Sequence, residues 1–445
     1  MIKTIKFGGS SLADALQFGK VKKIITADPA RRYVVPSAPG KRYSDDTKVT
    51  DLLYACYARC AGGEDPSPVE ALIRDRFHEI LAGLSLDLSL EEEMNQIFRN
   101  LRAGFSRDYA ASRGEYLNGL ILSSYLGFPF VDAAKVILFD GNGSFLPEET
   151  NTALKKVLGS LPAAVVPGFY GSMPDGSVKT FSRGGSDITG ALVARAVEAD
   201  LYENFTDVSG FLLADPRIVD DPVSIGVITY KELHELARMG ACVLHEDAIF
   251  PVKEAGIPIN IRNTNSPEEF GTLITSCTGE QPSHRITGIA GRKGYGTLSV
   301  RKPGAPCREE LEEVVLSILK KEKIPCESIP TSPDSVSVLV PQKEYYAKEF
   351  EVLSQIHSAV HPDAIYLDSD LALVAIGGRG TRFRDSIAQN VFTALSEAHI
   401  HIRTIDEGMK DLAMVLGVAD RDFEATIRVI YDQFIREEFK GTLPC

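Results

Sequence analysis

Short β-rich runs alternate with helical patterns from Ile2 to about Thr275, and this alternation predicts an α/β domain over residues 1–275. The strand candidates are Ile2–Phe7, Tyr33–Pro36, Phe130–Asp132, Ala163–Val166, Leu201–Thr206 and Ile257–Arg262. At about 65–127, apolar residues at helical spacing predict an inserted group of helices. Its predicted helices are Val69–Leu84, Leu90–Ser112 and Glu115–Leu126. The segment 276–285 lacks periodicity and is interpreted as a linker.

An internal repeat occupies the part of the chain after this linker. Val315–Val340 aligns without gaps over Val391–Leu416, and each copy has the element order of a ferredoxin-like α+β module. The first module spans 297–368. The second spans 369–445 and lacks its last strand, so we predict that 286–291 supplies this strand and that the first module is nested in the second. Modules of this kind suit ligand sensing or dimerisation.

The charge balance excludes two classes of partner. The net charge of −13 has the wrong sign for nucleic acid or an anionic membrane surface. No apolar run approaches the ~20 residues that span a bilayer, and no signal-peptide pattern opens the chain, so we expect a cytoplasmic protein. Seven cysteines favour reduced thiols over a disulfide framework. Cys56 and Cys60, one helical turn apart, are interpreted as helix side chains, with a shared metal as the alternative.

The first candidate site is the segment KFGGSS, Lys6–Ser11, at the C-terminal end of the first predicted strand. Ligands collect at this end of strands in α/β sheets. The lysine supplies a cation, and the two glycines let backbone N–H groups approach an anion such as phosphate. The lysine precedes the glycines, so the segment is not a Walker A loop. Alone, it is also compatible with an ordinary turn.

The second candidate site is the segment FSRGGSD, Phe181–Asp187, which leads into a small, apolar helix. Ser186 or Asp187 is the predicted N-cap. A helix N-terminus attracts anions, and the guanidinium group of Arg183 suits a carboxylate. A capped core helix beside a surface arginine is the alternative.

A third group of polar residues lies in FTDVSGFLLADPR, Phe205–Arg217. Thr206 and Asp207 end a predicted strand, and the Asp-Pro-Arg sequence predicts a turn from which Arg217 could reach a phosphate. An ordinary surface turn is the alternative.

Several short motifs occur in a fixed order along the chain. They are KFGGSSLAD, SAPGK with KVTDLL, GEYLNG, GFYG, SRGGSD, TDVSG and ADPR. In this order they resemble the motifs of monofunctional aspartate kinases of the amino acid kinase fold, and the paired C-terminal modules resemble the tandem ACT domains of those enzymes. The resemblance implies an amino-acid-kinase-like α/β/α sandwich followed by two ferredoxin-like (ACT) α+β modules.

The resemblance implies phosphoryl transfer from ATP, bound with Mg²⁺, to the side-chain carboxylate of L-aspartate. This reaction gives 4-phospho-L-aspartate and is the first step of lysine, threonine and methionine biosynthesis. A free aspartate carboxylate titrates near ~4, so no general base is required. Catalysis then consists of positioning and charge neutralisation, with no metal site built from protein side chains alone.

The same resemblance implies roles for single residues. Lys6 and Asp187 are catalytic, with Asp187 orienting Lys6, while Arg183 and Glu115 hold the α-carboxylate and α-ammonium groups of aspartate. The residues implied to bind ATP are Lys6, Gly8, Gly9, Ser10, Thr206, Asp207 and Arg217, with Gly8 and Gly9 as backbone donors. Those implied to bind the substrate are Thr50, Glu115, Phe169, Arg183, Gly184 and Ser186. Leu212 and Cys242 replace a tyrosine and a lysine of some relatives, so nucleotide contacts there would come from backbone.

Lysine is the implied effector, bound at the first module near Cys326, Glu327 and Ser332. A solvated strand glutamate is the alternative interpretation of Glu327. The second module departs from the pattern of many relatives at HIRTIDEGMKD and is expected to form a dimer contact, so we expect a homodimer or a larger assembly.

Two other functions stay open at this point. One is a kinase for another carboxylate, such as glutamate or acetylglutamate, although those relatives generally lack the helical insertion and the tandem modules. The other is a catalytically inactive amino-acid sensor. The presence of Lys6, Asp187 and both glycine loops argues for activity.

Overall fold

The computed structural model places the chain in two compact units. It describes residues 1–182, 184–238, 246–276, 286–302, 308–329, 335–378, 381–407 and 413–436. The first unit comprises Met1–Phe211, Ser224–Tyr230 and Val243–Gly279, and the second comprises Leu212–Val223, Lys231–Cys242 and Glu280–Cys445. The second unit therefore includes 212–223 and 231–242, which the division of the sequence assigned to the 1–275 domain.

The part of the chain before residue 277 contains most of the helices. The strands are β1 Lys3–Phe7, β2 Arg31–Pro36, β3 Ala164–Val165, β4 Tyr170–Ser172, β5 Val178–Thr180, β6 Leu201–Thr206, β7 Val227–Thr229, β8 Ile259–Asn263 and β9 Thr272–Thr275. The helices are α1 Ala15–Thr26, α2 Val49–Gly62, α3 Ser67–Leu84, α4 Glu91–Arg102, α5 Arg107–Leu126, α6 Pro147–Leu158, α7 Gly185–Ala196, α8 Tyr230–Arg238 and α9 Glu246–Glu254. In the described residues, no helix combines the length and the apolar character needed to cross a bilayer.

A seven-stranded sheet organises the first unit, in the order β3-β2-β1-β6-β8-β9-β7. β1 runs parallel to β2 and β6, and β6 runs parallel to β8. The central strands β1 and β6 are buried on both faces, and their apolar residues Ile5, Phe7 and Phe205 are fully buried. The predicted strand Phe130–Asp132 contributes a single bridge, from Phe130 to Val165.

The helical insertion is present, but two of its predicted boundaries are wrong. The break between helices lies at 103–106, and α5 runs without interruption through Gly114. Gly104 has a φ of +86°, which glycine adopts readily and which ends the preceding helix. Ser106 then starts α5, because its side chain accepts a hydrogen bond from the N–H of Tyr109.

The second unit contains a six-stranded sheet in the order β11-β12-β10-β13-β15-β14. Its strands are β10 Ile286–Arg301, β11 Glu327–Ile329, β12 Ser335–Pro341, β13 Ala364–Gly378, β14 Thr404–Glu407 and β15 Ala413–Ala419. Its helices are α10 Arg308–Lys321, α11 Gln342–Tyr346, α12 Glu349–Val360, α13 Thr381–Glu397 and α14 Phe423–Tyr431.

Two long strands, β10 and β13, run through both repeats of this sheet. Leu298 in the second half of β10 pairs with Val338 of the first repeat. In the first half of β10, Ala290 pairs with Ala375, which belongs to the second repeat. The predicted pairing of the segment beginning at Ile286 with the second repeat is therefore confirmed, and it is the pairing that nested modules require.

Candidate active site

Three neighbouring parallel strands, β2, β1 and β6, end at one edge of the seven-stranded sheet. Lys6 lies beside Val35 on one side and beside Asn204 on the other. The segments KFGGSS, SAPGK and TDVSG begin at or directly after the ends of these strands, so they meet at the same edge. This edge, at the carboxyl ends of parallel strands, is the usual ligand site of α/β proteins.

Lys6 and Asp187, the two predicted catalytic residues, form a buried ion pair. Nζ of Lys6 lies 2.6 Å from Oδ1 of Asp187, and the two side chains are 10% and 18% exposed. Asn204 contacts both partners. Its Oδ1 accepts a hydrogen bond from Lys6 Nζ at 3.3 Å, and its Nδ2 donates to Asp187 Oδ1 at 2.8 Å. The ammonium group is therefore fixed by two side chains and keeps limited access to solvent.

The helix that carries Asp187 begins earlier than the sequence predicts. Its N-cap is Gly184, whose φ of +57° lies in the left-handed region that glycine adopts readily. Ser186 and Asp187 therefore lie in the first turn, and the prediction that one of them caps the helix is wrong. The carboxylate is used by the ion pair instead. A negative charge in the first turn is also stabilised by the helix dipole.

The loops after β1 and β2 contact each other through glycines. The N–H of Gly40 donates to the carbonyl oxygen of Gly9 at 2.8 Å. A Cβ added to Gly9 would lie 2.9 Å from the carbonyl oxygen of Ala38, and one added to Gly40 would lie 2.6 Å from the carbonyl carbon of Gly9. Only residues without a side chain allow this approach, which joins the KFGGSS and SAPGK segments.

The backbone N–H groups of KFGGSS differ in whether they are already hydrogen-bonded within the protein. The N–H of Gly8 donates to the carbonyl oxygen of Phe205 at 2.9 Å, so the predicted donation from Gly8 to a phosphate is not available in this backbone arrangement. Gly9 and Ser10 open a 3₁₀ turn, and the first N–H groups of a helical turn lack an intrahelical acceptor. The amides of Gly9 and Ser10, together with Lys6 Nζ, are therefore the candidate donors to an anion.

Glu115 is a buried carboxyl group on α5, beside the SAPGK loop. The helix packs closely there, because a Cβ added to Gly114 would lie 2.7 Å from the Cβ of Ala38. Burial raises the pKa of Glu115 to about 8, and a hydrogen bond from the backbone of Ala38 opposes this rise. Among the described residues, its Oε2 has no hydrogen-bond partner.

A second unpartnered oxygen lies one turn further along α5. Asn118 is fully buried, and its Nδ2 donates to the carbonyl oxygen of Ser37 at 2.7 Å. Its Oδ1, like the Glu115 Oε2, has no partner in the part of the chain that the structure describes. Buried acceptors are normally hydrogen-bonded. Two free acceptors on one helix face are suited to a ligand that brings N–H donors, such as an ammonium group.

The GFYG loop packs against the start of α7. Phe169 has a φ of +83°, a strained value for a bulky residue. Its N–H donates to Thr189 Oγ1 at 3.1 Å, and its carbonyl oxygen accepts from the N–H of Phe181 at 3.0 Å. A Cβ added to Gly168 would lie 2.5 Å from the Oγ of Ser186. The structure therefore brings together two predicted substrate-binding residues, Phe169 and Ser186.

Three further predicted residues lie at loops on this edge. Thr50 is the second residue of α2. The first residue of this helix, Val49, donates its N–H to the carbonyl oxygen of Pro39 in SAPGK at 3.2 Å. Thr206 ends β6, and its Oγ1 donates to Asp207 Oδ1 at 3.1 Å.

The remaining predicted residues do not fall within this group. Those outside the described part of the chain are Arg183, Cys242, Ser332 and the side chain of Glu327. Arg217 and Leu212 belong to the second unit, and the exposed guanidinium group of Arg217 pairs with Asp215 at 2.6 Å. Cys326 is half-buried against the core of the first module. The roles of these residues remain predictions.

Cys56 and Cys60 are side chains of α2, as interpreted. Burial raises the pKa of Cys56 to about 12, so without a metal its thiol stays protonated at neutral pH. The described residues contain no group of three or more His, Cys, Asp or Glu side chains arranged to hold a metal ion.

Sequence reasoning missed Asn204 and Asn118, whose carboxamide groups contact the site. A signal for the first exists in β6, LYENFT, where a polar pair interrupts a strand that is otherwise apolar and central in the sheet. Asn118 lies within the GEYLNG motif, but nothing in its spacing distinguishes it from an ordinary helix residue.

Comparison with known proteins agrees with this geometry. Residues 1–263 match the amino acid kinase family, and residues 374–434 match an ACT domain. The chain is 34% identical to aspartokinase 3 of Bacillus subtilis over 459 residues, which cover 99% of this chain and 100% of that protein.

Solved structures of similar proteins lead to the same family. The crystal structure of Clostridium acetobutylicum aspartate kinase matches with a TM-score of 0.93 at 47% identity, covering 97% of this chain and 100% of the other. Escherichia coli aspartokinase III in complex with lysine and aspartate matches with a TM-score of 0.72 at 25% identity, covering 98% and 99% of the two chains. The chain therefore belongs to the amino acid kinase family and, within that family, to the aspartokinases, which are kinases that phosphorylate the side-chain carboxyl group of aspartate.

Proposed function

We propose that this aspartokinase binds MgATP and L-aspartate at the edge formed by β1, β2 and β6, and that Lys6 and Glu115 hold opposite ends of the reacting pair. One combination supports the proposal. A fixed cation, Lys6, and a buried carboxyl group, Glu115, whose Oε2 has no partner among the described residues, lie on segments joined through the contacts of Gly9, Gly40 and Ala38. An amino acid bound by its ammonium group, with its side-chain carboxylate directed to a phosphate, needs both groups.

The reaction requires charge neutralisation more than proton transfer. The aspartate side chain is ionised at neutral pH, since its pKa lies near ~4, so it attacks the γ-phosphorus directly and ADP leaves with the electron pair of the broken P–O bond. The obstacle is repulsion between the carboxylate and the polyphosphate. In this proposal, Lys6 Nζ and the amides of Gly9 and Ser10 offset the repulsion by binding the oxygens of the transferred group, as their positions at the sheet edge would allow.

The acceptor is held by groups of opposite charge. Glu115 receives the α-ammonium group, and Arg183 the α-carboxylate, by the match of its motif to the family. Thr50, Phe169 and Ser186 surround the same position. A buried carboxyl oxygen without a partner among the described residues favours a free amino acid over acetylglutamate, because an acylated nitrogen carries no positive charge to pair with Glu115 once it is ionised.

Mg²⁺ needs few protein ligands at such a site, because it keeps several water molecules and binds phosphate oxygens. The donor set fits this mode. Asp207, directly after β6, is an exposed carboxylate at the same edge, and the described residues contain no dedicated cluster of ligands. When bound, Mg²⁺ supplies positive charge to the phosphates.

Lysine is the proposed effector, bound at the first ACT module near Cys326, Glu327 and Ser332. Support comes from the related E. coli aspartokinase III, which was solved with lysine and aspartate bound. A coupling of ~1 to 3 kcal/mol between the two ligands would give about 5- to 150-fold inhibition. We also propose that the ACT modules form the contact of a homodimer or larger assembly.

A coupled assay of ADP release tests the proposal on the full chain. Aspartate, glutamate and acetylglutamate are compared at saturating MgATP, each with and without lysine or threonine. ADP release with aspartate alone, reduced by lysine, is the expected result. Release with glutamate or acetylglutamate but not aspartate would contradict the substrate, and binding of lysine without any ADP release would indicate an inactive sensor.

A further inference from the structure

Asn204 is a buried polar residue on β6, the central strand of the seven-stranded sheet. Only 4% of it is exposed. In the register of the sheet it lies directly beside Lys6, and side chains at paired positions of adjacent strands project from the same face. The preceding residue, Glu203, projects from the opposite face, where it pairs with Arg31. Asn204 therefore belongs to the Lys6 side of the sheet.

Both ends of the Asn204 carboxamide are used. The oxygen accepts from the ammonium group of Lys6 at 3.3 Å, and the nitrogen donates to Asp187 Oδ1 at 2.8 Å. Asp187 Oδ1 is the same atom that contacts Lys6 Nζ at 2.6 Å. Three groups thus form a closed triangle in which each one contacts the other two. The chemistry fixes the orientation of the amide, because only its oxygen can accept from a cation and only its nitrogen can donate to a carboxylate.

The triangle commits two of the three N–H donors of Lys6. An ammonium group on a flexible stem rotates freely unless its donors are bonded, so two fixed bonds also fix the direction of the third. This end of Lys6 lies under the glycine loop, since a Cβ added to Gly8 would be 3.8 Å from Nζ. The remaining donor is therefore available on the side where the phosphate-binding amides of Gly9 and Ser10 are proposed.

A neutral carboxamide suits this position better than a second carboxylate. Lys6 and Asp187 together carry no net charge. A second negative charge beside them would leave the cluster with a net charge of −1 next to an anionic phosphate, in a buried site where charges interact strongly. Asn204 supplies the geometry of a second acceptor without this charge.

We infer that Asn204 is a positioning residue for phosphoryl transfer. It holds the Lys6 ammonium group against Asp187, so that the free N–H of this group points to the transferred phosphoryl group. This inference rests on the proposed role of Lys6. Asn204 itself contacts Lys6 and Asp187 and acts on the reaction through them.

The test uses substitutions of Asn204 in the full chain, with Asn260→Leu as the matched control. Asn260 is also 4% exposed, but it pairs with Glu203 in the register and so lies on the opposite face of the sheet. We expect Asn204→Leu to lower kcat about 10- to 100-fold while KM for aspartate changes less than about twofold. Asn260→Leu should leave kcat within about twofold. Thermal unfolding of each variant establishes that it folds, and Asn204→Ser replaces Asn204→Leu if the latter does not.

A variant with a new charge at position 204 tests the pH dependence of kcat, which should not change if Asn204 has only a structural role. Asn204→Asp should lower kcat more than Asn204→Leu at pH 8, because it adds a negative charge. Protonation makes the new side chain neutral, so the ratio of its kcat to that of the unsubstituted enzyme should rise as the pH falls from 8 to 6. A ratio that does not change with pH would count against the charge argument and overturn the inference.

A double variant separates the failure of the inference from the failure of the proposed function. If Asn204 acts through Lys6, adding Asn204→Leu to Lys6→Ala should not slow turnover further. Near-normal turnover of Lys6→Ala alone would refute the proposed role of Lys6. If Lys6→Ala is impaired but Asn204→Leu behaves like Asn260→Leu, or if the two losses multiply in the double variant, only the inference about Asn204 is overturned.

Discussion

The cluster around Lys6 and the cluster around Glu115 are both buried and polar, but they differ in how far their side chains bond one another. Lys6, Asp187 and Asn204 bond one another at distances of 2.6 to 3.3 Å. Glu115 Oε2 and Asn118 Oδ1 have no partner among the described residues. In the first, which we call the finished cluster, the three side chains hold one another in place and leave one N–H of Lys6 for a ligand. In the second, which we call the unfinished cluster, two buried oxygens lack a partner among the described residues and can accept from the donors of a ligand.

A third buried carboxylate shows that burial alone does not explain the state of Glu115. Glu203 is fully buried on β6, where Arg31 binds it at 2.7 Å and Arg262 at 3.0 Å. Burial by itself would raise the pKa of Glu203, but the hydrogen bonds and charge of Arg31 lower it below the usual value. The buried charge of Glu203 is thus compensated by two arginines of the protein itself. The absence of such a partner among the described neighbours of Glu115 is a feature of the site.

We expect the largest effect from removing the ammonium group of Lys6. Lys6→Ala should lower kcat on the order of 10²-fold or more, because a preorganised donor to the transferred group is lost. The KM for aspartate should change little. The measurement is steady-state ADP release with each substrate varied in turn.

Lys3→Ala is the matched control for this prediction. Lys3 lies on the same strand and also forms an ion pair, at 2.8 Å with Asp28, but at the other end of β1. Its removal should leave kcat nearly unchanged. Equal losses of kcat in both variants would show that removing either lysine of β1 slows turnover whatever its contacts, and would contradict a specific role for Lys6.

The second prediction removes the charge of the unfinished cluster. Glu115→Gln should raise the KM for aspartate about 10- to 100-fold, since a charged partner of the ammonium group is lost. It should also stabilise the free protein by on the order of 4 kcal/mol at pH 8, because an acid whose pKa is raised from 4.5 to about 8 on folding destabilises the fold above the unfolded pKa. Steady-state kinetics and chemical unfolding measure the two effects.

The control for Glu115 is Glu203→Gln, in which the carboxylate already has arginine partners. Removing one member of a buried pair costs about 3 to 5 kcal/mol, so this variant should lose stability while the KM for aspartate stays within about twofold. A gain of stability in Glu115→Gln and a loss in Glu203→Gln would support the difference between the two buried carboxyl groups. A loss of stability in both variants would contradict this difference.

The third prediction concerns pH. Because burial raises the pKa of Glu115 to about 8, this group holds a proton in the free enzyme at neutral pH and must release it to bind an ammonium ion. As the pH falls below about 8, kcat/KM for aspartate should therefore fall about tenfold per unit. The value for ATP should lack this dependence, and Glu115→Gln should abolish it. A profile for aspartate that is flat from pH 6 to 8 in the unsubstituted enzyme would contradict the role of Glu115.

Local patterns allowed several elements to be predicted from the sequence. Short β-rich runs followed by loop residues located β1, β2 and β6, and the internal repeat predicted that residues from Ile286 would pair with the second ACT module. The start of α7 was missed because Gly184 competes with Ser186 and Asp187 for the cap, and a left-handed glycine is not distinguishable from a loop glycine by spacing.

Long-range partners in the candidate site could not be read from spacing. Asn204 and Lys6 are separated by 198 residues, and only the sheet order places them side by side. The resemblance to aspartate kinases suggested that Lys6 and Asp187 act together, but it carried no information about Asn204. Whether the N–H of Gly8 is free likewise depends on its bond to Phe205, which follows from the pairing of β1 with β6.

The smallest expected effect concerns Asn118, which has one bonded and one unpartnered end. Asn118→Ala removes the hydrogen bond to Ser37 and the free Oδ1 together. The loss of a buried bond costs about 1 kcal/mol, but the loss of an unsatisfied acceptor offsets part of that cost, so stability should change little. The KM for aspartate should still rise about three- to tenfold at constant kcat, because one acceptor for the ammonium group and one anchor of the SAPGK loop disappear. Titration of the variant with aspartate measures this, and an unchanged affinity would leave Glu115 as the only member of the unfinished cluster that binds ligand.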